Sequence, residues 1–294
     1  MKERLRKKRF GIVMMLPAFF AIVLLKMYPI VQGIWYAFTN RRMDRPESFV
    51  KFVGLKNIID VFQDKNVQST VLFTFEYAIG IVAVSYVIGL MLALLLNRDI
   101  KGRGFYRALV LLPWVVSNTV AAANFRWILN DRYGFINTTL QKLGLIEKPI
   151  QFLANMTNAK LTVIALGIWK TVPFMCIVIL AALQAVPKDQ YEAAAIDGAG
   201  YWKKLRYITL PAIRSVTVMA TTLQFIWNFN NFEPIWLLTS GGPNEATQTL
   251  AVQIYEEAFV KNRIVYAAAI AVVVLIFMMI FTLLRLKMSD GRDQ

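Results

Sequence analysis

The hydrocarbon layer of a bilayer is roughly 30 Å thick, so a helix that crosses it needs about 20 mostly apolar residues. This chain offers such a run six times, at residues 10–38, 67–96, 105–129, 161–186, 213–239 and 266–286. The alternating ten-residue pattern of a β-barrel is absent. The spanning elements are therefore expected to be helices, because lipid supplies no partner for an open strand edge. The composition agrees: 57% of residues are apolar and 17% charged, against roughly 45–50% and 25% in soluble domains. That hydrophobicity excludes a disordered chain. The single cysteine, Cys176, excludes a disulfide scaffold. The sequence has no histidine, which removes the usual zinc and copper sites and histidine-based acid–base chemistry.

A net charge of +15 raises the question of nucleic acid, and the placement of the charge answers it. Lys2, Arg4, Arg6, Lys7, Lys8 and Arg9 abut the first span directly. With that end inside, the loops carrying Arg98 to Arg107 and Lys188 to Arg214 also fall inside, and so does the C-terminus. Basic residues gathered at one set of span ends are the positive-inside pattern of a membrane protein. The expected organisation is a basic cytoplasmic tail at 1–9, a first transmembrane helix at 10–38 interrupted by Lys26, and an external loop at 39–66. A core of five helices at 67–286 follows, with an inner loop at 187–212 and a cytoplasmic tail at 287–294.

The inner loop is distinctive. Glu192-Ala193-Ala194-Ala195-Ile196-Asp197 is a good helix former, and Gly198 or Gly200 can end it in a left-handed turn. An amphipathic stretch at 201–208 follows, and Pro211 starts the next span. This predicts a helix–turn–helix against the inner membrane face. Its small alanines allow another surface to approach closely, and Glu192 and Asp197 offer anionic contacts.

The pattern Glu192-Ala193-Ala194, Gly198, Ile208, Leu210-Pro211 resembles the cytoplasmic loop signature of ABC importer permeases, with every fixed position present. Leu238-Thr239-Ser240-Gly241-Gly242-Pro243, Arg103-Gly104-Phe105-Tyr106-Arg107 before Leu112-Pro113, and Asn228-Phe229-Asn230-Asn231-Phe232 narrow the likeness to the carbohydrate-uptake branch. The chain resembles the maltose-transporter permease family from about Asn57 onward, in the form of its six-span sugar permeases. The resemblance implies a type I importer permease fold. It also implies a second homologous permease subunit, two ATPase subunits beneath, and an extracytoplasmic solute-binding protein, in the inner membrane of a bacterium or archaeon. Glu192, Ala193, Ala194, Asp197 and Gly198 would form the coupling helix seated on an ATPase subunit. The chain itself would be no enzyme, and ATP and Mg would be bound by the partner. No Gly-x-x-x-x-Gly-Lys-Ser/Thr loop occurs in the sequence, so an ATP-driven reading needs that partner. Membrane lipid is the remaining expected partner, and no nucleic acid.

Polar residues inside a span are costly unless they meet a partner or a wet cavity. Asn228 and Asn231 are three apart, Trp114 and Asn118 four, and Thr171 and Phe174 three, so each pair is predicted to share a helix face. Amides beside flat aromatic faces suit a sugar, whose apolar ring face stacks while its hydroxyls are hydrogen-bonded. Helix–helix hydrogen bonding and plain packing explain the same residues. In the maltose permease, the resemblance implies, sugar contacts come from the positions matching Trp114, Asn118, Thr171, Phe174, Asn228 and Asn231. Both Asn agree with that family member, which has Tyr, Ser, Gly and Tyr at the other four. Glu76, Lys170 and Glu233 are the charged residues within spans. The competing reading is a stand-alone secondary transporter of a small polar solute. It would want coupling carboxylates in the bundle core and paired half-repeats.

Overall fold

In the computed structural model, which describes residues 13–41 and 50–290, four helices are long and apolar enough to cross a membrane. They are α1 (Val13–Ala37), α3 (Lys65–Leu96), α7 (Met156–Gln184) and the first 22 residues of α13 (Ile264–Asp290). Between them in chain order come α2 (Lys56–Gln63), α4 (Arg103–Val115), α5 (Asn118–Ile128) and α6 (Phe135–Lys142). After α7 come α8 (Lys188–Ile196) and α9 (Tyr201–Lys204), the latter running through a π turn (Leu205–Thr209) into Leu210–Ala212. Then follow α10 (Arg214–Phe229), α11 (Glu233–Thr239) and α12 (Leu250–Tyr255). No strand forms among the described residues, only one isolated bridge between Thr39 and Phe52. The basic tail at 1–9 and the last four residues lie outside the described residues.

Two of the six expected spans are not continuous. The third is split into α4 and α5, which meet at 93°. Pro113 removes one helical donor near the end of α4. Val116 then turns extended, and the Ser117 hydroxyl caps α5 by accepting from the Val120 N–H at 3.3 Å. The fifth is split into α10 and α11. Asn230 and Asn231 close α10, and Pro234, which cannot donate to a preceding turn, restarts the helix. The interruption at Lys26 is milder: α1 passes through a π turn at Val23–Met27 without breaking.

The chain divides into two compact units. One is Ser69–Val252. Here Phe73, Tyr77 and Ile81 of α3 pack with Val163 and Leu166 of α7, Ala121 and Ala122 of α5, and Ile235 and Leu238 of α11. Gly89 of α3 lets the helices touch: a Cβ there would lie 2.7 Å from Met175 Cβ and 3.0 Å from the Cys176 backbone nitrogen. This is the small-residue contact by which membrane helices gain packing that lipid cannot supply. The segment after α11 folds back through hydroxyls. Thr247 Oγ1 donates to the Gly242 carbonyl at 2.8 Å, and Thr74 Oγ1 accepts from the Leu250 N–H at 2.9 Å.

The other unit comprises the described residues up to Gln68 and those from Gln253. There α13 packs against α1 and α2. Asn57 caps the end of α1 by donating to the Ala37 and Thr39 carbonyls at 2.8 and 2.9 Å. A charged cluster of Glu256, Glu257, Lys261 and Arg263 closes the chain before α13, with Lys261 at 3.0 and 3.1 Å from the two carboxylates.

A candidate solute cavity and an exposed helical loop

Both helix breaks lie beside one cavity of about 250 Å³ within the Ser69–Val252 unit. Trp114 and Asn118 come from either side of the α4–α5 break. Asn228, Asn231 and Pro234 come from either side of the α10–α11 break. The unbroken α7 supplies Gly167, Lys170, Thr171 and Phe174. Irregular backbone inside a membrane is tolerated where it lines a cavity or is buried in protein, and discontinuous helices are a recurrent way to build a midplane site.

All six residues singled out from the sequence line this cavity. Of the three predicted pairs, only Thr171 and Phe174 share a helix, α7. Trp114 and Asn118 lie on different helices, and Asn231 lies beyond the end of α10. Asn228 is buried, and its amide donates to the Gln224 carbonyl at 2.9 Å and to Gln224 Oε1 at 3.2 Å. Phe174 and Trp227 meet edge to face, with ring centroids 5.5 Å apart. The lining is thus amides and a hydroxyl against indole and phenyl faces, a chemistry suited to polyhydroxylated solutes.

Sequence reasoning did not single out Gln224, Trp227 or Gly167 for the cavity, although they line it. Trp227 and Asn228 follow Gln224 by three and four residues on α10, which is a legible signal. Gly167 carries none. Its role comes from α3, since a Cβ there would lie 2.2 Å from Ile81 Cδ1. The buried Tyr77 hydroxyl stands beside Asn231.

Lys170 is the one cation in the lining. Its ammonium donates to the Val116 carbonyl, the group freed by the α4–α5 break. Asn118, just past that break, donates to Glu233 Oε2 at 2.8 Å, at the start of α11. The two breaks are therefore tied to each other and to α7. Glu76 pairs instead with Lys160 at 3.7 Å, away from the cavity.

The loop at 187–212 forms the two helices and the turn expected of it. α8 ends in a Schellman turn: Gly198 takes φ 73°, the Ala199 N–H donates to the Ala194 carbonyl at 2.8 Å, and the Gly198 N–H donates to the Ala195 carbonyl at 3.1 Å. Gly200, the other candidate for that turn, has φ −70°. The Tyr191 hydroxyl and Thr209 Oγ1, 3.0 Å apart, tie α8 to the π turn beyond α9. Glu192, Ala193 and Asp197 are exposed, with Ile196 at 88% and Trp202 at 77% exposure beside them.

Residues 85–289 match the family described as binding-protein-dependent transport system inner membrane component. The chain belongs to this family. It is 31% identical to the trehalose/maltose transport system permease protein MalF of Thermococcus litoralis, over 99% of this chain and 97% of that one. It is likewise 31% identical to a probable ABC transporter permease protein of Brucella suis, over 96% of each chain. A crystal structure of a bacterial ABC transporter involved in the import of the acidic polysaccharide alginate shares the fold. It has a TM-score of 0.86, covers 99% of both chains and is 22% identical. The permease is thus an all-α membrane protein with the ABC importer permease fold, as the loop signature implied.

Proposed function

We propose that this permease forms half of the translocation pathway of an ATP-driven, binding-protein-dependent importer of a sugar or oligosaccharide. The observation that carries the reading is one cavity that gathers Trp114, Asn118, Thr171, Phe174, Asn228 and Asn231 from three expected spans, two of them broken beside it. The named relative transports trehalose and maltose, and a fold relative is solved with an alginate pentasaccharide-bound periplasmic protein. Both support a carbohydrate solute delivered from outside by a binding protein.

The second half of the pathway comes from a homologous permease, and the engine from two ATPase subunits that hold ATP and Mg. α8 is the coupling helix: Glu192, Ala193, Ala194, Asp197 and Gly198 seat in an ATPase subunit, with Ile196 as the apolar anchor. Nucleotide binding draws the ATPase subunits together, and the docked knuckle passes that movement to the spans as a rigid-body rotation. ATP drives it only because it binds one global state better than the other. Both chain ends then face the cytoplasm of a bacterium or archaeon.

Co-purification from the native host tests the assembly, with a second permease, an ATPase and a binding protein expected alongside. Glu192→Lys tests the docking. The variant should insert normally and lose the ATPase subunit or transport. Normal solute-stimulated ATP hydrolysis in that variant would refute the coupling role.

A further inference from the structure

A second cavity, of about 200 Å³, lies where the ends of α3 and α7 meet the α8–α9 loop. Leu94, Leu183 and Leu205 make one part of its lining, and Asn97, Arg98 and Lys204 another, with Tyr191 and Tyr201. The two cations are uncompensated. Asp99, the nearest carboxylate in sequence, pairs with Arg103 at 3.9 Å, and no described carboxylate forms an ion pair with Arg98 or Lys204. Instead the Arg98 guanidinium is held over the Tyr201 ring at 5.8 Å. Two unpaired cations facing one cavity call for an anion. Leucines beside them, at the ends of two membrane-spanning helices, call for an anion with an apolar continuation. We infer that this cavity takes the phosphate head of an anionic phospholipid.

The cavity is smaller than those that enclose drug-sized ligands. It has room for a phosphodiester head, with the acyl chains left along the spans. Leu94 lies at the end of α3 and Leu183 at the end of α7, the level at which hydrocarbon gives way to head groups. The lining comes from both halves of the coupling loop: Tyr191 on α8, Tyr201 and Lys204 on α9, Leu205 and Thr209 on the π turn. A bound head group therefore ties that loop to the two spans. The inference rests on the reading above only in placing this end of the permease at the anionic cytoplasmic leaflet, where each Lys or Arg near the surface adds attraction. An acidic patch on a protein partner is the rival occupant. It leaves the three leucines without a use.

The test is lipid binding, which needs neither transport nor the partner subunits. The delipidated permease is titrated in detergent with phosphatidylglycerol, phosphatidylcholine or soluble glycerol phosphate, and the bound species are read by native mass spectrometry. Phosphatidylglycerol should be retained over phosphatidylcholine, and millimolar glycerol phosphate should not displace it. The double variant Arg98→Gln, Lys204→Gln should bind it about tenfold or more weakly, at roughly one surface cation's attraction per residue. The charge-keeping pair Arg98→Lys, Lys204→Arg should bind within a few-fold of wild type. Lys203→Gln removes the same charge from a residue outside the cavity lining and should change nothing. Equal retention by wild type and the double variant, or by the two lipids, overturns the assignment. So does full displacement by glycerol phosphate, which would make the occupant a soluble phosphoester. If the double variant fails to fold by circular dichroism, the wild-type lipid preference and the charge-keeping pair still decide.

Discussion

Asn118 donates its side-chain amide to Glu233 at 2.8 Å across 115 residues of sequence, joining the first turn past one helix break to the first turn past another. A hydrogen bond to a charged group contributes about 1.5–3 kcal/mol net. Its loss should let the two breaks drift apart around the cavity. Asn118→Ala is expected to raise the solute concentration for half-maximal uptake by about tenfold or more, at 1.4 kcal/mol per decade. Glu233→Gln keeps an acceptor and should cost less. An unchanged concentration dependence in proteoliposomes for Asn118→Ala would show that the tie does not shape the cavity.

Lys170 holds the other side of the same arrangement through the Val116 carbonyl. Replacing it with Met preserves the stem and removes the donor. The Val116 carbonyl is half-buried, and leaving it unpaired costs up to about 1–3 kcal/mol, so Lys170→Met should lower the thermal midpoint as well as solute affinity. Lys170→Arg, which restores a donor, should recover the midpoint at least in part. Equal midpoints for Met and wild type would mean that water replaces the ammonium.

The knuckle formed by α8 depends on one backbone conformation. Gly198 has φ 73° with open space around the position of a Cβ, so the cost of Gly198→Ala is conformational, about 1–2 kcal/mol. Asn visits that region readily. Gly198→Asn should therefore keep ATPase association while Gly198→Ala weakens it, with solute binding unchanged in both. Pull-down of the ATPase subunit under matched expression separates the two.

Two glycines make predictions of different size about packing. At Gly89 an added Cβ meets the Met175 Cβ and backbone atoms of Met175 and Cys176, which cannot rotate away. At Gly167 the worst contact is the far end of the Ile81 side chain. Gly89→Ala should destabilise by an overpacking cost of about 1–3 kcal/mol, and Gly167→Ala by less. Thermal denaturation in detergent orders them, and the reverse order would contradict the close approach of α3 and α7.

The Tyr266 hydroxyl donates to Asp64 and, with smaller help from the Asn66 and Val67 amides and the Arg263 charge, outweighs burial to hold that carboxyl below its ordinary range. A depressed carboxyl contributes stability above its unfolded pKa and loses it as the pH falls through the folded one. Tyr266→Phe should therefore lower the thermal midpoint at neutral pH, with the gap to wild type closing in acid below the usual carboxylate pKa. A gap independent of pH would place the effect in packing alone.

The features legible in the sequence are those fixed by neighbours in the chain. Apolar runs give the helices of α1, α3, α7 and α13 wherever they form, because each backbone bond closes within its own segment. The alanine-rich α8 and the turn at Gly198 are also local, since a left-handed C-cap needs only a residue that tolerates it. The six cavity residues are marked by residue type and spacing together with the resemblance to the maltose permease. The helical spacing nevertheless gave the wrong reason for Trp114 with Asn118 and for Asn228 with Asn231, because a break lies between the members of each pair.

Tertiary structure decided where those breaks could be afforded. Pro113 and Pro234 make interruption possible, but a freed carbonyl or carboxylate in a membrane needs a partner from elsewhere. Lys170 reaches Val116 across 54 residues, and Asn118 reaches Glu233 across 115. No local pattern encodes such separations. Helix content and the shape of the knuckle thus belong to short-range sequence, whereas the cavity exists only because distant polar groups satisfy one another once the spans have packed.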